Sequence, residues 1–203
     1  MTKSALGLSD GFNCRHGQDG FSIAGTCLMP SALKNRFSIV VKKGEEKKLR
    51  CDDKPYGRIS EHIGKLPTVI ISPSDISLVS DSGEERRRFM NAVISQIDRE
   101  YLSALQQYNR LLAQRNRMLK DGASDATLLE IIDMKMSSHA DFIHRKRAEL
   151  CGPLTEAVNE YYRRLSGGGE SVSIRYRSDI DRAPLEQLLK ESLERDRIMK
   201  YTT

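Results

Sequence analysis

Little in this 203-residue sequence would cross-link the chain or place it in a membrane. Its four cysteines lie 13, 24 and 100 residues apart with no Cys-x-x-Cys pair, which argues against a disulfide framework and a zinc site. No long apolar run occurs, and none follows Met1, which argues against a transmembrane helix and a secretory signal. We therefore expect a cytoplasmic protein with free thiols and no bound metal.

Motifs for nucleotide hydrolysis are also missing. The G-x-x-x-x-G-K-[ST] phosphate-binding pattern occurs nowhere, and no apolar run ends in the paired acidic residues that would hold Mg²⁺. A Leu-Ser-Gly-Gly-Gly-Glu run at 165–170 resembles the signature of ABC-type ATPases, but that signature works at the start of a helix. Here the alternation of Val172, Ile174 and Tyr176 predicts a strand instead. We predict no catalytic residue and no ATP hydrolysis by this chain alone.

Positive charge is unevenly distributed along the chain. The net charge is +5, but residues 34–65 carry ten basic and five acidic side chains, and residues 84–120 carry eight and four. Every other segment sums to zero or below. Clustered positive charge suits a polyphosphate partner, because each neutralised phosphate releases condensed counterions. A solvated basic face without any partner is the competing interpretation.

The first third of the chain predicts short strands. Residues 20–29 and 35–42 alternate in hydrophobicity, and the Lys-Gly-Glu-Glu turn at 43–46 predicts a hairpin into a further strand at 47–51. The continuous apolar run at 66–72, with its β-branched residues, predicts a strand buried on both faces. Residues 171–177 alternate as one more strand near the other end of the chain.

Between these regions the apolar spacing is helical. A period of three and four residues runs from Met90 to Leu112 and predicts one helix over residues 84–120. Gly122 supplies a stop, and a second helix is expected from about 126 to 165, kinked or interrupted at the Cys-Gly-Pro of 151–153. Two long helices joined by a short turn form an antiparallel hairpin.

A last helix, with Pro184 near its first turn, is expected to end at about 199. Strands at both ends of the chain and helices between them predict a mixed α/β fold, in which a helical lobe built on a long antiparallel hairpin accompanies a strand-rich part.

Arginines stand out on the predicted helix over residues 84–120. Three consecutive arginines lie one turn into it, where the helix dipole disfavours cations, so helix stability does not account for them. Adjacent positions point about 100° apart, so at most two of the three can face one ligand. Surface salt bridges with Glu84 and Glu85 are the alternative interpretation, worth under about 1 kcal/mol each. We predict a surface for a polyphosphate partner formed by Arg86, Arg87, Arg88, Arg110, Arg115 and Arg117.

Several segments are distinctive in their order along the chain. They are His-Ile-Gly-Lys-Leu-Pro at 62–67, Val-Ile-Ile-Ser-Pro-Ser-Asp at 69–75, Gly-Glu-Glu-Arg-Arg-Arg-Phe-Met at 83–90, Gln-Arg-Asn-Arg-Met-Leu-Lys at 114–120, Arg-Lys-Arg at 145–147 and Glu-Arg-Asp-Arg at 194–197. Together they resemble the bacterial RecF family, particularly its Bacteroidetes-like members, over nearly the whole chain.

The resemblance implies an ABC-type, SMC-like ATPase of DNA replication, repair, recombination and the SOS response. In that family ATP and Mg²⁺ are the cofactors, and an ATP-bound homodimer clamps duplex DNA near single-strand gaps and, with RecR and RecO, helps to load RecA. The family's phosphate loop, signature and acidic motifs would lie outside these residues, so we expect an internal segment without a hydrolytic site. By position, Ser72 and Pro73 resemble the nucleotide-sensing Q-loop, although the glutamine itself is absent.

The resemblance also implies a domain division. Residues 1–80 would be the strand-rich part of the ATPase lobe, 81–170 the helical lobe, and 171–203 a strand and helix that return to the ATPase lobe. One alternative is a head segment of an SMC or Rad50 relative, although only about 80 residues separate the strand regions. A second alternative is a non-enzymatic module that docks other proteins on its helical hairpin.

Overall fold

The structure, a computed structural model, describes residues 9–28, 31, 33–81, 83–122 and 126–203. The chain divides into two compact units, Met1–Ser77 and Leu78–Thr203. Strands lie in the first unit and long helices in the second, so the mixed α/β fold class is confirmed. No helix among these residues combines the length and apolar character needed to cross a membrane.

The first unit contains a four-stranded antiparallel meander. Its strands are β1 (Gly20–Leu28), β2 (Lys34–Lys42), β3 (Lys48–Cys51) and β4 (Lys54–Pro55), hydrogen-bonded in that order. The turn between β2 and β3 uses Gly44 at a φ of 76°, a conformation that suits glycine. The strands predicted at 20–29, 35–42 and 47–51 are confirmed, with ends that differ by a residue.

The strand predicted at residues 66–72 is wrong. This stretch has no strand pairing, and Val69 and Ile71 are each 85% exposed. Its β-branched residues favour extended backbone, but a strand also needs a neighbouring strand to complete its ladder. The sheet of the described residues ends at β4 and supplies no such neighbour.

Only Leu49 and His62 are fully buried among the described residues of the first unit. The His62 ring packs edge-on against Phe37 and Tyr56, with centroids 5.2 and 5.6 Å away. Burial lowers the pKa of His62, which favours its neutral form. His62 is therefore a core residue of this unit.

Helices account for the rest of the fold. They are α1 (Ser77–Ser80), α2 (Gly83–Ile97), α3 (Arg99–Asp121), α4 (Ala126–Ser166) and α5 (Leu185–Met199), with a 3₁₀ turn at Asp179–Asp181. α3 ends at Gly122, whose φ of 67° is the expected left-handed cap. α3 and α4 pack against each other as the predicted antiparallel hairpin, and the last helix begins after Pro184 as predicted.

The prediction of one helix over residues 84–120 is wrong, because the helix breaks at Asp98. This residue has extended dihedral angles, φ −128° and ψ 109°, and its carboxylate accepts a hydrogen bond from the Tyr101 N–H at 2.9 Å. Asp98 thus caps the N-terminus of α3 and also binds the Lys146 ammonium at 2.8 Å. The apolar period continues across the break, which is why the spacing alone does not reveal it.

Of the kink or interruption predicted at residues 151–153, the interruption does not occur, since α4 runs through Pro153. Proline removes one backbone donor, and the carbonyl left without it belongs to Glu149, at an exposed position where water can replace the bond. One turn later, the Thr155 hydroxyl donates to the Cys151 carbonyl at 2.7 Å.

Residues 171–177 are extended, with alternating exposure, but they form no strand. Their partner is a helix: the Asn159 side chain of α4 accepts from the Val172 N–H at 2.8 Å and donates to the Val172 carbonyl at 2.7 Å. The Ile174 N–H donates to the Thr155 hydroxyl at 3.3 Å. Side-chain amides and hydroxyls therefore replace the neighbouring strand that the alternation predicted.

Two apolar clusters fill the helical unit. The first lies where α2, α3 and α4 meet and also receives Ile174 and Tyr176 from the extended segment. The second joins α5 to the closed end of the hairpin through Leu189. The buried members of the two clusters are Met90, Ile94, Tyr101, Ala104, Ile143 and Cys151, and then Met118, Leu129, Ile132, Met136 and Leu189.

Candidate nucleic-acid interface

A groove of about 990 Å³ lies within the helical unit. Side chains of α2, α3, α4, α5 and residues 176–182 line it. Apolar residues such as Leu105, Ile143 and Leu188 contribute to the lining, and charged residues contribute to it as well. The volume is at the upper end of the range for small-molecule pockets, about 300–1,000 Å³.

Arginine is the most frequent residue in this lining. Six arginines face three carboxylates, those of Glu84, Asp179 and Glu191, so the groove carries an excess of three positive charges. Such an excess in a concave surface concentrates anions. We call these residues the groove arginines: Arg87, Arg88, Arg147, Arg177, Arg182 and Arg195.

The groove arginines differ in how far the chain itself neutralises them. Arg88 lies 2.9 Å from the Glu85 carboxylate, and Arg182 lies 3.1 Å from that of Glu191. Arg87 and Arg177, by contrast, make no hydrogen bond or ion pair with any residue that the structure describes. These two guanidinium groups are therefore available to a ligand.

Arg147 is half-buried in the groove wall, and its hydrogen-bond partners are all uncharged. Its Nη1 donates to the Tyr176 hydroxyl at 3.0 Å, its Nη2 donates to Asn91 Oδ1 at 2.9 Å, and its Nε donates to the Tyr101 hydroxyl at 3.2 Å. Although desolvation alone would lower it, the bonds to Tyr176 and Tyr101 hold the pKa of Arg147 above its ordinary value. The guanidinium therefore stays charged without a carboxylate partner.

His144 lies beside Arg147's partner Tyr176, with ring centroids 5.3 Å apart. Its Nε2 is 3.2 Å from the Asp181 carboxylate, whereas its Nδ1 is buried and has no partner among the described residues. A buried polar atom without a partner is uncommon in native structures. The groove wall thus contains a second polar group whose bonding capacity the described residues leave unused.

Arg115 lies in the interior of the helical unit, and the prediction that it extends a basic surface is wrong. Its exposed fraction is 0%. Its Nε is 2.7 Å from the Asp133 carboxylate of α4, and its Nη1 is 2.7 Å from that of Asp196 in α5. Nη1 also donates to the Thr202 hydroxyl at 2.8 Å. Two internal carboxylates neutralise this guanidinium, so its charge is not offered to a phosphate.

The two carboxylates of this Arg115 cluster are perturbed in opposite directions. Desolvation raises the pKa of Asp133, despite its bond from Arg115. Desolvation opposes the charge of Asp196 as well, but hydrogen bonds from Thr203 and Arg115 outweigh it and hold the pKa of Asp196 below its ordinary value. The Thr203 N–H and hydroxyl both donate to Asp196 Oδ1, at 2.9 and 2.7 Å.

The other five predicted arginines are exposed, but most have internal partners. Arg86 Nη1 donates to the backbone carbonyls of Leu78 and Asp81 at 3.1 and 3.0 Å. Arg117 lies 3.7 Å from the Asp121 carboxylate. Arg110 makes no hydrogen bond or ion pair with a described residue, and it lies outside the groove lining. Of the predicted set, the groove brings together only Arg87 and Arg88.

Four groove arginines were missed by sequence reasoning: Arg147, Arg177, Arg182 and Arg195. They belong to residues 121–203, a segment whose formal charge sums to −2, so a map of charge along the chain passes over them. Only the packing of α4 and α5 beside α2 and α3 places them on one surface.

The positions that resemble nucleotide-binding motifs differ from those motifs in sequence or in local geometry. The phosphate-binding pattern is missing from all 203 residues. α4 ends at Ser166, Gly167 and Gly168 have positive φ, and extended backbone follows, so no helix N-terminus stands behind this glycine run. The described residues contain no group of three or more His, Cys, Asp or Glu arranged to hold a metal ion. At the Q-loop-like position, the Ser72 N–H donates to the Asp75 carboxylate at 2.6 Å, and Pro73 opens a 3₁₀ turn.

Curated proteins similar to this chain include several named DNA replication and repair protein RecF. That of Porphyromonas gingivalis is 38% identical over 202 residues, which are 99% of this chain and 56% of the relative. That of Parabacteroides distasonis is 40% identical over 163 residues, 80% of this chain and 45% of the relative. That of Cytophaga hutchinsonii is 35% identical over 206 residues, 100% of this chain and 54% of the relative. No protein-family model matches the chain.

Two solved structures share the fold. One is the recombination mediator protein RecF with ATPrS, in the RecFOR pathway, with a TM-score of 0.86 over 100% of this chain and 58% of that chain. The other is RecF with ATP, with a TM-score of 0.87 over 98% and 57%. Both are 24% identical in sequence, and this likeness establishes the fold alone.

Fold and sequence similarity agree on one protein family. The chain belongs to the RecF family, and it spans about half the length of the curated relatives that it matches.

Proposed function

We propose that the chain is part of a RecF-like DNA repair and replication protein, and that its groove contacts the phosphate backbone of DNA. The observation that carries the proposal is the lining of the groove, where six arginines face three carboxylates. Guanidinium groups bind phosphate oxygens through two parallel hydrogen bonds, which favours arginine over lysine at such sites. The names of the curated relatives support DNA as the partner.

Contacts of this kind position a protein on DNA without reading its sequence. Arg87 and Arg177 are the first candidates, because neither has an internal partner among the described residues. Arg110 and Arg117 would add weaker contacts from the exposed side of α3, outside the groove. Arg86 and Arg88 retain a smaller role in the proposal, since Arg86 already donates to the Leu78 carbonyl and Arg88 is paired with Glu85.

For the whole protein, we propose the role that the family resemblance implies. An ATP-bound homodimer would clamp DNA near single-strand gaps and, with RecR and RecO, promote RecA loading. ATP and Mg²⁺ would be bound by residues outside this chain, which supplies no phosphate-binding pattern. The two solved RecF structures with ATP and ATPrS support nucleotide binding by the family. Nucleotide with Mg²⁺ should accordingly raise the melting temperature of this chain no more than inorganic phosphate does.

The domain division at residues 80 and 170 belongs to the same proposal. The boundary of the compact units between Ser77 and Leu78 is the observation that supports a strand-rich lobe followed by a helical lobe. The helices of the hairpin, with 23 and 41 residues, favour a short helical lobe over the long coiled coil of an SMC relative.

A charge-matched pair of variants tests DNA contact through the groove. Fluorescence anisotropy would follow a labelled 20-base-pair duplex from low to moderate salt, where affinity should fall steeply. In the double variant Arg87→Ala, Arg177→Ala, the negative slope of log K against log salt should become less steep by about 2, roughly one for each lost phosphate contact. The control, Arg163→Ala with Arg164→Ala, removes the same charge from the exposed end of α4 outside the groove lining.

Equal slopes for the groove variant and the control would show that the groove does not bind DNA. Binding that is flat between low and moderate salt would contradict phosphate contact altogether. If the groove variant instead kept DNA affinity and lost binding to a protein partner, the docking module would be the better assignment.

A further inference from the structure

Arg147 has unused bonding capacity on the groove side. A guanidinium carries five N–H groups. The described structure uses three of them, on Nε, Nη1 and Nη2, for bonds to Asn91, Tyr101 and Tyr176. One N–H on each terminal nitrogen therefore remains to donate to a phosphate oxygen, and Arg147 is part of the groove lining.

Arg147 also has no counter-charge. None of the ion pairs among the described residues includes it, and its Cζ lies 5.8 Å from the centroid of the Tyr176 ring, a weak substitute for a carboxylate. Two acids of the groove, Glu84 and Glu191, are already bound to Arg88 and Arg182. A half-buried charge left uncompensated is costly, so a site of this kind favours an anion from outside the chain.

We infer that Arg147 is the centre of an anion subsite that binds one phosphate group, with Asn91, Tyr101 and Tyr176 holding its guanidinium in place. This inference rests on the proposed function, because it locates within the groove a place where a phosphate of the bound nucleic acid is fixed. His144, whose buried Nδ1 has no partner among the described residues, is the neighbouring polar group of the same wall.

The fold builds this subsite from three separate elements. Asn91 belongs to α2, Tyr101 to α3 and Arg147 to α4, and the Tyr101 hydroxyl donates to Asn91 Oδ1 at 2.5 Å. Tyr176 comes from the extended segment that α4 holds. Since the hydrogen bonds hold the guanidinium before any ligand arrives, little rotamer entropy is lost on binding.

The substitution Asn91→Asp is a near-isosteric test. It places a carboxylate where the amide oxygen now accepts from Arg147, so the chain supplies its own counter-charge. Thermal melting would be followed with inorganic phosphate as the probe, against sodium chloride at equal ionic strength. The unmodified chain should gain about 3–5 °C at phosphate concentrations well above Kd. The Asn91→Asp chain should melt higher without phosphate and gain under about 1 °C from it.

A second variant and a control distinguish a loss of phosphate binding from a general loss of stability. Arg147→Met should also lose the phosphate-dependent gain, whatever its own melting temperature, whereas Arg164→Met should keep the full gain. A full phosphate-dependent gain in the Asn91→Asp chain would overturn the inference, and so would equal gains from phosphate and chloride in the unmodified chain.

Measurements with oligonucleotides and with ATP identify the source of the phosphate group. If it belongs to a nucleic-acid backbone, Asn91→Asp should weaken binding of a 20-nucleotide single strand or duplex about tenfold, and ATP should stabilise no more than inorganic phosphate. If it belongs to a free nucleotide, ATP should stabilise far more than phosphate, and oligonucleotide affinity should be unchanged. Either result keeps the anion subsite and names its ligand.

The subsite and the proposed function can fail separately. If the Arg87→Ala, Arg177→Ala variant had the same salt dependence as the unmodified chain, DNA binding by the groove would be contradicted. Phosphate-dependent melting could still support the subsite in that case. Conversely, a normal phosphate response in the Asn91→Asp chain would contradict the subsite, while DNA binding through Arg87 and Arg177 could still hold.

Discussion

Two arginines of the helical unit, Arg115 fully buried and Arg147 half-buried, differ in their partners. Arg115 is bound by the carboxylates of Asp133 and Asp196, each at 2.7 Å, whereas Arg147 is bound only by hydroxyl and amide oxygens. Arg115 therefore joins three helices through ion pairs, although its Nη2 is buried without a partner among the described residues. Arg147 keeps its positive charge in the wall of a groove. The difference teaches that one guanidinium has internal counter-charges and the other has none, which is the basis for assigning the first to the fold and the second to a ligand.

The difference extends to what surrounds each arginine. The chain from Lys200 to Thr203 folds back on the Arg115 cluster, where the Thr202 N–H and hydroxyl donate to Asn116 Oδ1 at 2.8 and 2.7 Å. Arg147 faces a groove of about 990 Å³. Substitution of Arg115 should consequently lower the stability of the fold, whereas substitution of Arg147 should weaken phosphate binding.

The largest effect is expected from Arg115→Met. Removing this guanidinium leaves two buried carboxylates without a counter-charge, so the free energy of unfolding should fall by about 3–5 kcal/mol. Urea denaturation would measure the loss, with Arg164→Met as a control at an exposed ion pair that is worth under about 1 kcal/mol. A loss below about 1 kcal/mol at Arg115 would contradict the role of the network.

Acid should weaken the same network through Asp196. Its folded-state pKa lies below its unfolded value, so its contribution is present above about pH 4 and is lost as the pH falls through the folded value. Asp133 works in the opposite sense, because its raised pKa means that its ionised form is disfavoured in the fold. Carboxyl NMR titration would measure both groups. If Asp196 titrated at the higher pH of the two, this assignment would be wrong.

A smaller effect is expected at Asp98, which separates α2, the helix of Asn91, from α3, the helix of Arg115. Asp98→Ala removes the cap and the bond to Lys146, and should lower the free energy of unfolding by about 1 kcal/mol. Asp98→Asn keeps a good capping residue and should lose less. Equal losses in the two variants, measured by urea denaturation, would show that the charge contributes more than the cap.

The smallest change in stability is expected from Arg147→Met. Removing an uncompensated charge offsets the loss of its hydrogen bonds, so the free energy of unfolding should stay within about 1 kcal/mol of the unmodified chain. The same urea denaturation would measure it beside Arg115→Met. Losses of similar size at both arginines would break the comparison, because Arg147 would then be a structural residue like Arg115.

Local features of the fold could be predicted from the sequence. The β2–β3 turn, the α3–α4 hairpin and the cap at Gly122 depend on residues close in the chain, and their patterns are correspondingly clear. The break at Asp98 was not predicted, because the apolar period runs unchanged from α2 into α3. The strand prediction at 66–72 failed because pairing depends on a distant neighbour, which propensity does not reveal.

The candidate site was harder to predict for the same reason. Arg87 was identified from its position near the start of a helix, but Arg147 and Arg177 lie in a segment whose charges cancel. Arg115 was assigned to the surface, although Asp133 and Asp196 pair with it from 18 and 81 residues away. Tertiary packing decides which arginines are neutralised, so a count of charges along the sequence does not predict it.

Asn159 binds the beginning of the stretch from Val172 to Arg177 to α4, in addition to the Thr155 bond to Ile174 and the Arg147 bond to Tyr176. Its amide group supplies both a donor and an acceptor to Val172, so aspartate or leucine at this position would not reproduce the pair. Deuterium exchange at the Val172 N–H should therefore report the detachment of this stretch, and with it the widening of the cleft beside Tyr176, separately from global unfolding.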